Sequence, residues 1–524
     1  MRRQPSSLAK IYSELRNDFR AGKDTRFTSR LTGTSSSGSG ADYHYRSESQ
    51  FLHMMERARA YQRNDPIVGQ GVRRLVANIV QDGFTLDVYT GDEDLDNDLK
   101  ARWDEWACTA DLCHSEGEFT FSQMEQLALS ATVVDGDMFA LPLANGTLQT
   151  VEAHRCRTPR STTKNVVHGV LMDDSARRLE YWLTREDLNP NQPLIKVSDI
   201  LPYKARDPKT GERQVLHLYQ PYRFSQRRGV TALAPVSDTV AMHDDIQFAT
   251  LVKSQMASLI GIFHERGPNW TPGGDHQTGD RETESLPGGH SRTIEGISAG
   301  IEVFGDVDEK LVGFSPNIPS PEFFPHAMMV LTFIAINLDL PVHVLLLDPS
   351  NTNFSGWRGA IDQARLRFKQ IQKWFAECFH TPIYRWKVRQ WAARDPSLSS
   401  RLEAGNVRLF GHRWNPPAFA YLEPLTDASA DLLQQRNALN SARRIHAARG
   451  REWKVVAEEI VADNGMAILL ALAKAETINK LYPEAAVHWR ELISLPTPDG
   501  VQIALGQPQQ QQQDQPPAND KNKK

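Results

Sequence analysis

The stretch FFPHAMMVLTFIAINLDLPVHVLLLDPSNTNFSGWRGAIDQARLRFKQIQKWF at residues 323–375 determines how the rest of the chain is organised. Its first part is apolar and its last part is amphipathic, so both predict helices. Between them lies LLLDPSNTNFS at 345–355, where Pro349 and neighbouring Asp, Ser and Asn residues supply turn chemistry. Together with Pro341, these residues disfavour regular helix. The sequence therefore predicts a constrained loop between two helices.

Length and charge restrict the classes of protein that need to be considered. A chain of 524 residues exceeds the size at which one hydrophobic core usually keeps growing, so several folding units are expected. The formal net charge is -4, whereas proteins that coat nucleic acid are usually clearly basic. Any contact with DNA is therefore expected to be local or weak.

Cysteine content and hydropathy point to a soluble assembly in a reducing compartment. Four cysteines are too few for a disulfide framework in a chain of this length. The N-terminal residues carry charges where a signal peptide needs an apolar core. The most apolar window, 328–347, is interrupted by Asn337, Asp339 and Pro341, so no membrane helix is predicted. We expect a cytoplasmic site of assembly.

The region before the opening stretch predicts an α+β fold. Residues 1–42 are rich in Arg and Ser and predict a flexible arm. Two helices joined at 64–66 follow, then a strand at 84–89, a helix carrying Trp103 and Trp106, and a helix at 119–134. Short β-like runs occupy 148–218. A long helix at 231–260 then leads into a segment rich in Gly and Pro with strand-like ends.

The region after the loop is predicted to be mainly helical. Helical spacing gives the long helix a buried stripe that includes Phe368, Ile371 and Phe375. Pro382 is expected to kink or end this helix. Residues 405–425 look extended, and 427–482 predict helix with breaks near Gly450 and Gly465. The tail from 506 is rich in Gln and predicts disorder.

Two weak patterns allow metal chemistry, and each has a simpler explanation. Cys108, Cys113 and His114 could meet His154 and Cys156, although their spacing fits no compact zinc pattern. Structural cysteines are the preferred interpretation. The acidic pairs that a magnesium-dependent nuclease would need stand in turns, where aspartate is common for backbone hydrogen bonding alone. These pairs are Asp135 with Asp137, Asp173 with Asp174, and Asp306 with Asp308.

Other catalytic patterns are absent from the sequence. There is no phosphate-binding loop of the G-x-x-x-x-G-K-[ST] type, so the chain is not an ATP-driven motor by itself. Ser355 lacks the glycine context of a nucleophile elbow and is predicted to cap the long helix. The stripe Arg358, Arg365, Lys369 and Lys373 favours a solvated helix face over a phosphate contact.

The order of the segments resembles the lambda-like portal family of tailed bacteriophages. The matching pieces run in the same order along residues 43–490, and their collinearity is more specific than any single motif. They are MERARAYQRNDPIVGQGVRRLVANIVQDGF (55–84), WDEW (103–106), DGDMF (135–139), VEAHRCRTP (151–159), HGVLMDD (168–174), LHLYQPYRFSQRRGVTALAPV (216–236), IAINLDLPVHVLLLDPSNTNFSGWRGA (334–360) and HTPIYRW (380–386).

The resemblance implies a ring, expected to be a dodecamer, with wing, stem, clip and crown regions around a DNA channel. The implied regions are a flexible arm (1–42), wing (43–228 and 356–425), stem helices (229–260 and 321–340), clip (261–320), tunnel loop (341–355), crown (426–495) and disordered tail (496–524). The loop residues Leu346, Asp348, Ser350, Asn351 and Asn353 would face DNA. The family motif at the junction of loop and helix corresponds to Asn353, Phe354, Ser355 and Arg358. Terminase docking would involve Asp280, Arg281, Glu282 and Glu284 of the clip.

The implied function is structural and needs no cofactor and no metal. The ring would nucleate procapsid assembly at one vertex, dock the large terminase, retain DNA and join head to tail. Its partners would be double-stranded DNA contacted without sequence preference, the major capsid protein with its scaffold, and a head-completion or adaptor protein. It would be found in the host cytoplasm during assembly and then in the virion. The alternatives are a metal-dependent DNA-processing enzyme and another head-tail connector ring, although connectors are generally shorter.

Overall fold

The computed structural model describes residues 48–493, apart from gaps at 163–165, 190–193, 195, 209, 225, 265–280, 287–289, 296–300, 305–322, 349, 351, 404, 406 and 421. The predicted arm, the predicted Gln-rich tail and the pair Asp306/Asp308 lie outside the described residues. The chain divides into two compact units, with the boundary between Leu422 and Glu423. Helices and strands both build the first unit, which confirms the predicted mixed architecture.

Two helices open the first unit, as predicted. Helix α1 spans Glu48–Asn64 and α2 spans Pro66–Val80. Asp65 separates them and caps α2, because its Oδ1 accepts hydrogen bonds from the amides of Ile67 (2.8 Å) and Val68 (2.9 Å). A proline in the first turn suits this position, since the missing N–H has no helical partner there.

The remaining elements of the N-terminal half alternate between helix and strand. The helices are α3 (Glu93–Cys108), α4 (Ala110–Cys113) and α5 (Phe121–Val134). The strands are β1 (Thr85–Val88), β2 (Asp137–Pro142), β3 (Leu148–Glu152), β4 (Val166–Val167), β5 (Val170–Met172), β6 (Arg178–Thr184), β7 (Ile200–Lys204) and β8 (Leu216–Tyr219). They form a three-stranded antiparallel sheet in the order β3-β2-β8 and a four-stranded antiparallel sheet in the order β4-β5-β6-β7. The sequence predicted this region apart from β7.

A helix, a β-containing excursion and a returning helix follow. Helix α6 spans Ser237–Leu259 and starts six residues later than predicted, after a 3-10 turn at Ala234–Val236. The described strands of the excursion are β9 (Ile260–His264), β10 (Arg281–Leu286), β11 (His290–Glu295) and β12 (Ile301–Phe304). Strand β10 pairs antiparallel with β11, and β12 pairs parallel with β9. Helix α7 (Phe323–Asn337) returns alongside α6.

Beyond the loop, one helical path crosses the core of the unit. A short α8 (Val342–Leu346) precedes α9 (Phe354–Phe375), a π turn (Ala376–His380) and α10 (Thr381–Ala392). The predicted interruption near Pro382 therefore takes the form of the π turn, and Pro382 stands in the first turn of α10. Helix α11 (Pro396–Glu403) and strand β13 (His412–Asn415) complete the unit. Strand β13 lies within the stretch 405–425, which the sequence predicted to be extended.

The main core joins parts of the chain that are far apart in sequence. Strand β13 pairs antiparallel with β1. Aromatic rings from distant parts of the chain pack around the fully buried His380 of the π turn. These rings belong to Phe84, Phe121, Phe375, Phe379 and Trp414. The buried stripe predicted for α9 faces this core, with Phe368, Ile371 and Phe375 all buried.

The second unit is helical where it is described. It contains α12 (Pro424–Arg436), α13 (Ala442–Ala447) and α14 (Trp453–Leu481). The predicted break near Gly450 is confirmed, since α13 ends just before it. The predicted break at Gly465 is wrong, because α14 runs through that residue. One glycine costs a helix only about 1 kcal/mol relative to alanine, and the Ala- and Leu-rich neighbours are strong helix formers.

Within the residues that the structure describes, no helix is both long and apolar enough to cross a bilayer.

Candidate functional site

The entry to the predicted loop is a tight helix end built on Asp339. Helix α7 closes with Leu340 N donating to Ala335 O (2.9 Å) and Asp339 N donating to Ile336 O (3.1 Å). This is a Schellman motif, in which the residue after the helix is usually glycine. Asp339 occupies that position with a φ of 54°. Its carboxylate accepts a hydrogen bond from Arg367 Nε at 3.0 Å, which ties the turn to α9.

The loop itself contains a short helix that the sequence did not predict. Pro341 was expected to exclude helix from 341–355, but it instead precedes α8, where its carbonyl accepts hydrogen bonds from the amides of Val344 and Leu345. Proline is tolerated at a helix start because no backbone N–H is needed there. Helix α8 ends at Leu346 and is followed by Leu347, whose φ is 57°, and Asp348 N donates to His343 O at 3.2 Å.

Two non-glycine residues therefore adopt the left-handed conformation within nine positions of each other. For residues with a Cβ this conformation costs on the order of 1–2 kcal/mol each. Leu345 of α8 is buried, whereas Leu347 is 58% exposed. The helix is thus fixed to the core on one side and presents its end to solvent.

The predicted loop residues lie mostly at the surface. Asp348, Ser350 and Asn353 are exposed and Leu346 is half-buried, while Asn351 lies outside the described residues. Ser350 N donates to Asp348 Oδ1 at 2.9 Å. Hydrogen bonds from Ser350 lower the pKa of Asp348, so this side chain carries a negative charge at neutral pH.

The junction with α9 is capped by Asn353. Asn353 Oδ1 accepts a hydrogen bond from Gly356 N at 2.7 Å. The prediction that Ser355 caps this helix is wrong, because the helix begins at Phe354 and Ser355 Oγ instead donates to Asn353 Oδ1 at 3.3 Å. A methyl group on Gly356 would lie 2.8 Å from Asn353 Oδ1, so a larger residue at this position would displace the capping side chain.

The other members of the predicted junction motif lie in the first turns of α9. Phe354 is 56% exposed, and its ring lies 6.2 Å from that of Trp357. Arg358 is half-buried. The structure thus places Asn353, Phe354, Ser355 and Arg358 together at the exit of the loop.

The basic stripe of α9 is only partly a solvated face. Lys369 and Lys373 are exposed, and Lys373 lies 4.0 Å from Glu377. Arg365 instead packs over the Phe419 ring and donates to Ala420 O at 2.8 Å. Arg365 therefore fastens the segment after β13 to α9.

The predicted docking residues of the clip fall on β10. Arg281, Glu282 and Glu284 lie opposite Glu295, Ile294 and Arg292 of β11 in the backbone register. Asp280 lies outside the described residues.

The sequence analysis missed a buried ionic network that is centred on Arg228 and Asp137. Arg228 is fully buried and contacts Asp137 through Nε to Oδ2 (2.5 Å) and Nη2 to Oδ1 (3.1 Å). Its remaining N–H groups donate to the carbonyls of Ala153, Cys156 and His168. The guanidinium therefore joins β2 to the segments around β3 and β5. A hint existed in the sequence, because Arg228 and Asp137 both belong to the collinear pieces at 216–236 and 135–139.

The electrostatics of this network follow from its composition. Burial alone would raise the pKa of Asp137, but the charge of Arg228 and hydrogen bonds from His217 and Arg228 outweigh it and lower the pKa to about 2. Burial lowers the pKa of His217 to about 4 although His217 Nε2 lies 3.0 Å from Asp137 Oδ2. Arg228 already balances the carboxylate charge, so a second cation is not favoured there.

Residues 29–372 of the sequence match a known protein family. The profile described as "Phage portal protein, lambda family" matches residues 29–372, which is more than half of the 524 residues. The chain belongs to this portal family. The family is structural rather than enzymatic. The matched residues include α7, the loop and most of α9, and the match ends inside α9. No curated protein matches the chain.

Solved structures of particle necks are also similar to the chain. "Neck of empty GTA particle computed with C6 symmetry" is 12% identical, with a TM-score of 0.40, and the match covers 76% of this chain and 94% of that chain. "Virion of native gene transfer agent (GTA) particle" is 14% identical, with a TM-score of 0.35 and coverage of 79% and 96%. "Neck of native GTA particle computed with C12 symmetry" is 13% identical, with a TM-score of 0.33 and coverage of 76% and 93%.

The acidic pairs of this portal-family chain have partners that explain them. Asp135 forms two hydrogen bonds with Arg59 (2.7 and 2.6 Å), and Asp137 is held by Arg228. Asp173 accepts hydrogen bonds from the amides of Ser175 and Arg177 and so caps a turn, as the sequence predicted. The carboxylates of Asp135, Asp137 and Asp173 thus have structural roles.

The residues considered for a zinc site also have other partners. Cys113 Sγ donates to Phe119 O, Cys156 Sγ donates to His168 O, and His154 contacts Asp187. All four cysteines are free thiols. In the part of the chain that the structure describes, no group of three His, Cys, Asp or Glu side chains is arranged to hold a metal ion.

Proposed function

We propose that this chain assembles into a dodecameric ring that forms the DNA channel at one vertex of a phage capsid. The observation that carries the proposal is the portal-family match over residues 29–372. The proposed regions are wing (43–228 and 356–425), stem (229–260 and 321–340), clip (261–320), tunnel loop (341–355) and crown (426–495), with an N-terminal arm (1–42) and a C-terminal tail (496–524).

Exposed apolar faces on the two proposed stem helices support self-assembly. Phe248 and Leu251 of α6 are 70% and 66% exposed, and Phe324 and Ile336 of α7 are 65% exposed each. Large apolar side chains exposed in this number are typical of surfaces that bind another protein. Head-to-tail contacts between identical subunits close into a ring when the rotation between neighbours permits. In such a ring these faces would be covered by the next subunit.

Helix α14 of the proposed crown has the same property. Val461, Met466, Leu469 and Leu470 are each more than 60% exposed, and its buried residues are Ala471 and Ala475. A helix that is apolar around much of its surface is expected to be buried. Contacts between neighbouring copies would provide that burial.

The loop suits a surface along which DNA slides. Beside the exposed Leu347 and Phe354, its exposed polar side chains are hydroxyls, an amide and one ionised carboxylate, and these offer weak hydrogen bonds without strong attraction to phosphate. Tight phosphate contacts would retard a moving duplex, because each neutralised phosphate adds to the affinity. Repeated once per subunit, the loop would form a polar collar that contacts double-stranded DNA without sequence preference.

The remaining parts of the proposal concern partners and place. The clip would dock the large terminase through the region of Asp280, Arg281, Glu282 and Glu284. The ring would nucleate the procapsid with the major capsid protein and scaffold, retain packaged DNA, and bind a head-completion or adaptor protein. It would act in the host cytoplasm during assembly, then in the virion, without enzymatic activity of its own.

Negative-stain imaging of the purified chain tests the proposal. Rings with a central hole are expected, whereas a chain that stays monomeric even with scaffold and capsid protein would contradict it. Phe324→Glu should prevent rings while leaving the monomer folded, because the side chain is already mostly exposed. His326→Glu, at an exposed polar position on the same helix, is the matched control and should form rings. Uncut plasmid after incubation with Mg²⁺ would separate a portal from a nuclease.

A further inference from the structure

Two adjoining cavities in the first unit are lined by arginines that the proposed function does not use. The larger, of about 410 Å³, lies between the β7–β8 connection and the start of α10 and contains Arg206, Arg213, Arg385 and Arg389. The smaller, of about 260 Å³, shares Arg206 and Arg213 and adds Arg177 and Arg178. We call these six residues the arginine track.

The charge of the track is not balanced by its surroundings. The acidic residues lining the two cavities are Glu212 and Glu377. Glu212 pairs with Arg389 at 2.8 Å, and Glu377 lies 4.0 Å from Lys373. Arg213 and Arg385 have no ion-pair partner among the described residues. A chain with a formal net charge of -4 thus concentrates positive charge at one place.

Like charges also face one another within the track. Arg206 and Arg213 are directly opposite in an antiparallel bridge, an arrangement in which equal charges destabilise the pair. Arg385 and Arg389 are four residues apart on α10, where equal charges also repel, and both lie over the Phe410 ring at 6.0 and 5.0 Å. Two unfavourable pairs therefore converge on one cavity, and a bound anion would relieve both.

We propose that the arginine track binds phosphate groups. The planar guanidinium presents paired N–H donors that match the oxygens of phosphate, and cavities of this size accept a small ligand or part of a chain. Two adjoining cavities that share a pair of arginines suit successive phosphates of a nucleic-acid backbone or a free polyphosphate. The DNA source rests on the proposed function.

The test uses assembled rings at low salt and two phosphate probes. Binding of a fluorescein-labelled DNA duplex is measured by anisotropy, and binding of pyrophosphate by calorimetry. Arg206→Gln with Arg213→Gln should weaken binding roughly tenfold or more, since the variant loses two charged donors to the anion. For DNA, the salt dependence should also fall by about one unit of slope per lost phosphate contact. Arg394→Gln is the control, because Arg394 is exposed and lines neither cavity. This variant should bind both probes as the parent does.

Each outcome has a definite meaning. Loss of DNA binding alone identifies the backbone as the phosphate source, and loss of pyrophosphate binding alone identifies a free phosphate. Unchanged binding of both probes by a folded double variant overturns the proposal, as does equal competition by poly-glutamate of matched charge. Ring formation is imaged in the same preparations, so absence of rings would refute the proposed function, whereas intact rings with unchanged binding refute only the track.

Discussion

Gly71 of α2 packs so closely against Leu338 that a methyl group on the glycine would lie 2.6 Å from Leu338 Cδ1. The same methyl group would lie 3.1 Å from Cδ1 of Leu345, the buried residue of α8. The base of the loop is therefore held by a contact that a larger residue would disturb, because both leucine side chains would have to move. This contact joins a helix near the N-terminal end of the unit to a loop more than 250 residues later.

Gly71→Val should lower stability, because it forces Leu338 and Leu345 out of a packed core. Overpacking of this kind costs about 1–3 kcal/mol. Urea unfolding measures the loss. Gly359→Val on α9 is the matched control, since a Cβ there meets no atom within 4 Å, and it should be close to neutral. Equal effects of the two substitutions would show that the loop is not anchored on Gly71.

Arg228→Met should cost far more than removal of an exposed arginine of the same unit. It leaves the buried carboxylate of Asp137 without its counter-ion, and breaking a buried pair typically costs about 3–5 kcal/mol. Arg401→Met removes an exposed pair with Asp92, 2.9 Å long, and a much smaller loss is expected because water screens such a pair. The comparison is made by urea unfolding at neutral pH. A loss for Arg228→Met no larger than for the control would refute the structural role of the network.

The stability of the first unit should fall as the pH falls from about 6.5 to about 4. Burial lowers the pKa of His217 to about 4 and that of His168 to about 3, so the unfolded chain binds more protons than the folded chain in this range. Glu48 acts in the opposite sense, because burial raises its pKa to about 7 and its contribution is lost as the pH rises through that value. Asp137, whose pKa is lowered to about 2, adds a further loss below about pH 4.

Two variants separate these contributions. Glu48→Gln removes the opposing group, so its stability should fall more steeply than that of the parent between pH 7 and 4.5. His217→Gln should make the fall shallower. Urea midpoints at pH 7, 5.5 and 4.5 measure both slopes, and parallel curves for all three proteins would contradict the assignment.

Local signals account for the parts of the fold that the sequence predicted. Apolar periodicity located α1, α2, α5 and α9, and the Asp65-Pro66 step located the junction of the first two helices. These elements depend on neighbours a few residues away, which is the range that periodicity and capping describe. Asn353 and Ser355 were both suitable caps, and the choice between them depended on a helix start two residues earlier than a Ser355 cap implies.

Long-range partners account for what the sequence did not predict. The pairing of Arg228 with Asp137 spans 91 positions, and the contact of Gln372 with Ile79 spans 293. Helix α8 was missed because its stability comes from Leu345 packing against α2 rather than from its own five residues. The arginine track likewise depends on a β connection meeting α10.

Asp339→Gly should be more stable than Asp339→Ala by about 1 kcal/mol. Both variants lose the contact with Arg367, but only glycine adopts the left-handed conformation of this helix end without strain. Thermal unfolding of the two variants measures the difference directly. Alanine at least as stable as glycine would mean that the turn relaxes to another conformation.

Shortening the loop by removing residues 349–352 should leave rings intact but impair packaging or retention of DNA. The loop is anchored by the buried Leu345 and leads into a helix capped by Asn353, so the deletion falls between two fixed ends. Replacing the same four residues by Gly-Ser-Gly-Ser keeps the length and removes the side chains, and is the matched control. If the loop acts by its position in the channel, the replacement should package a full-length genome, measured by nuclease-protected DNA per particle, and the deletion should not. Normal packaging by the deletion variant would show that this loop is not the element that faces DNA, whereas failure of both variants would assign the effect to the side chains.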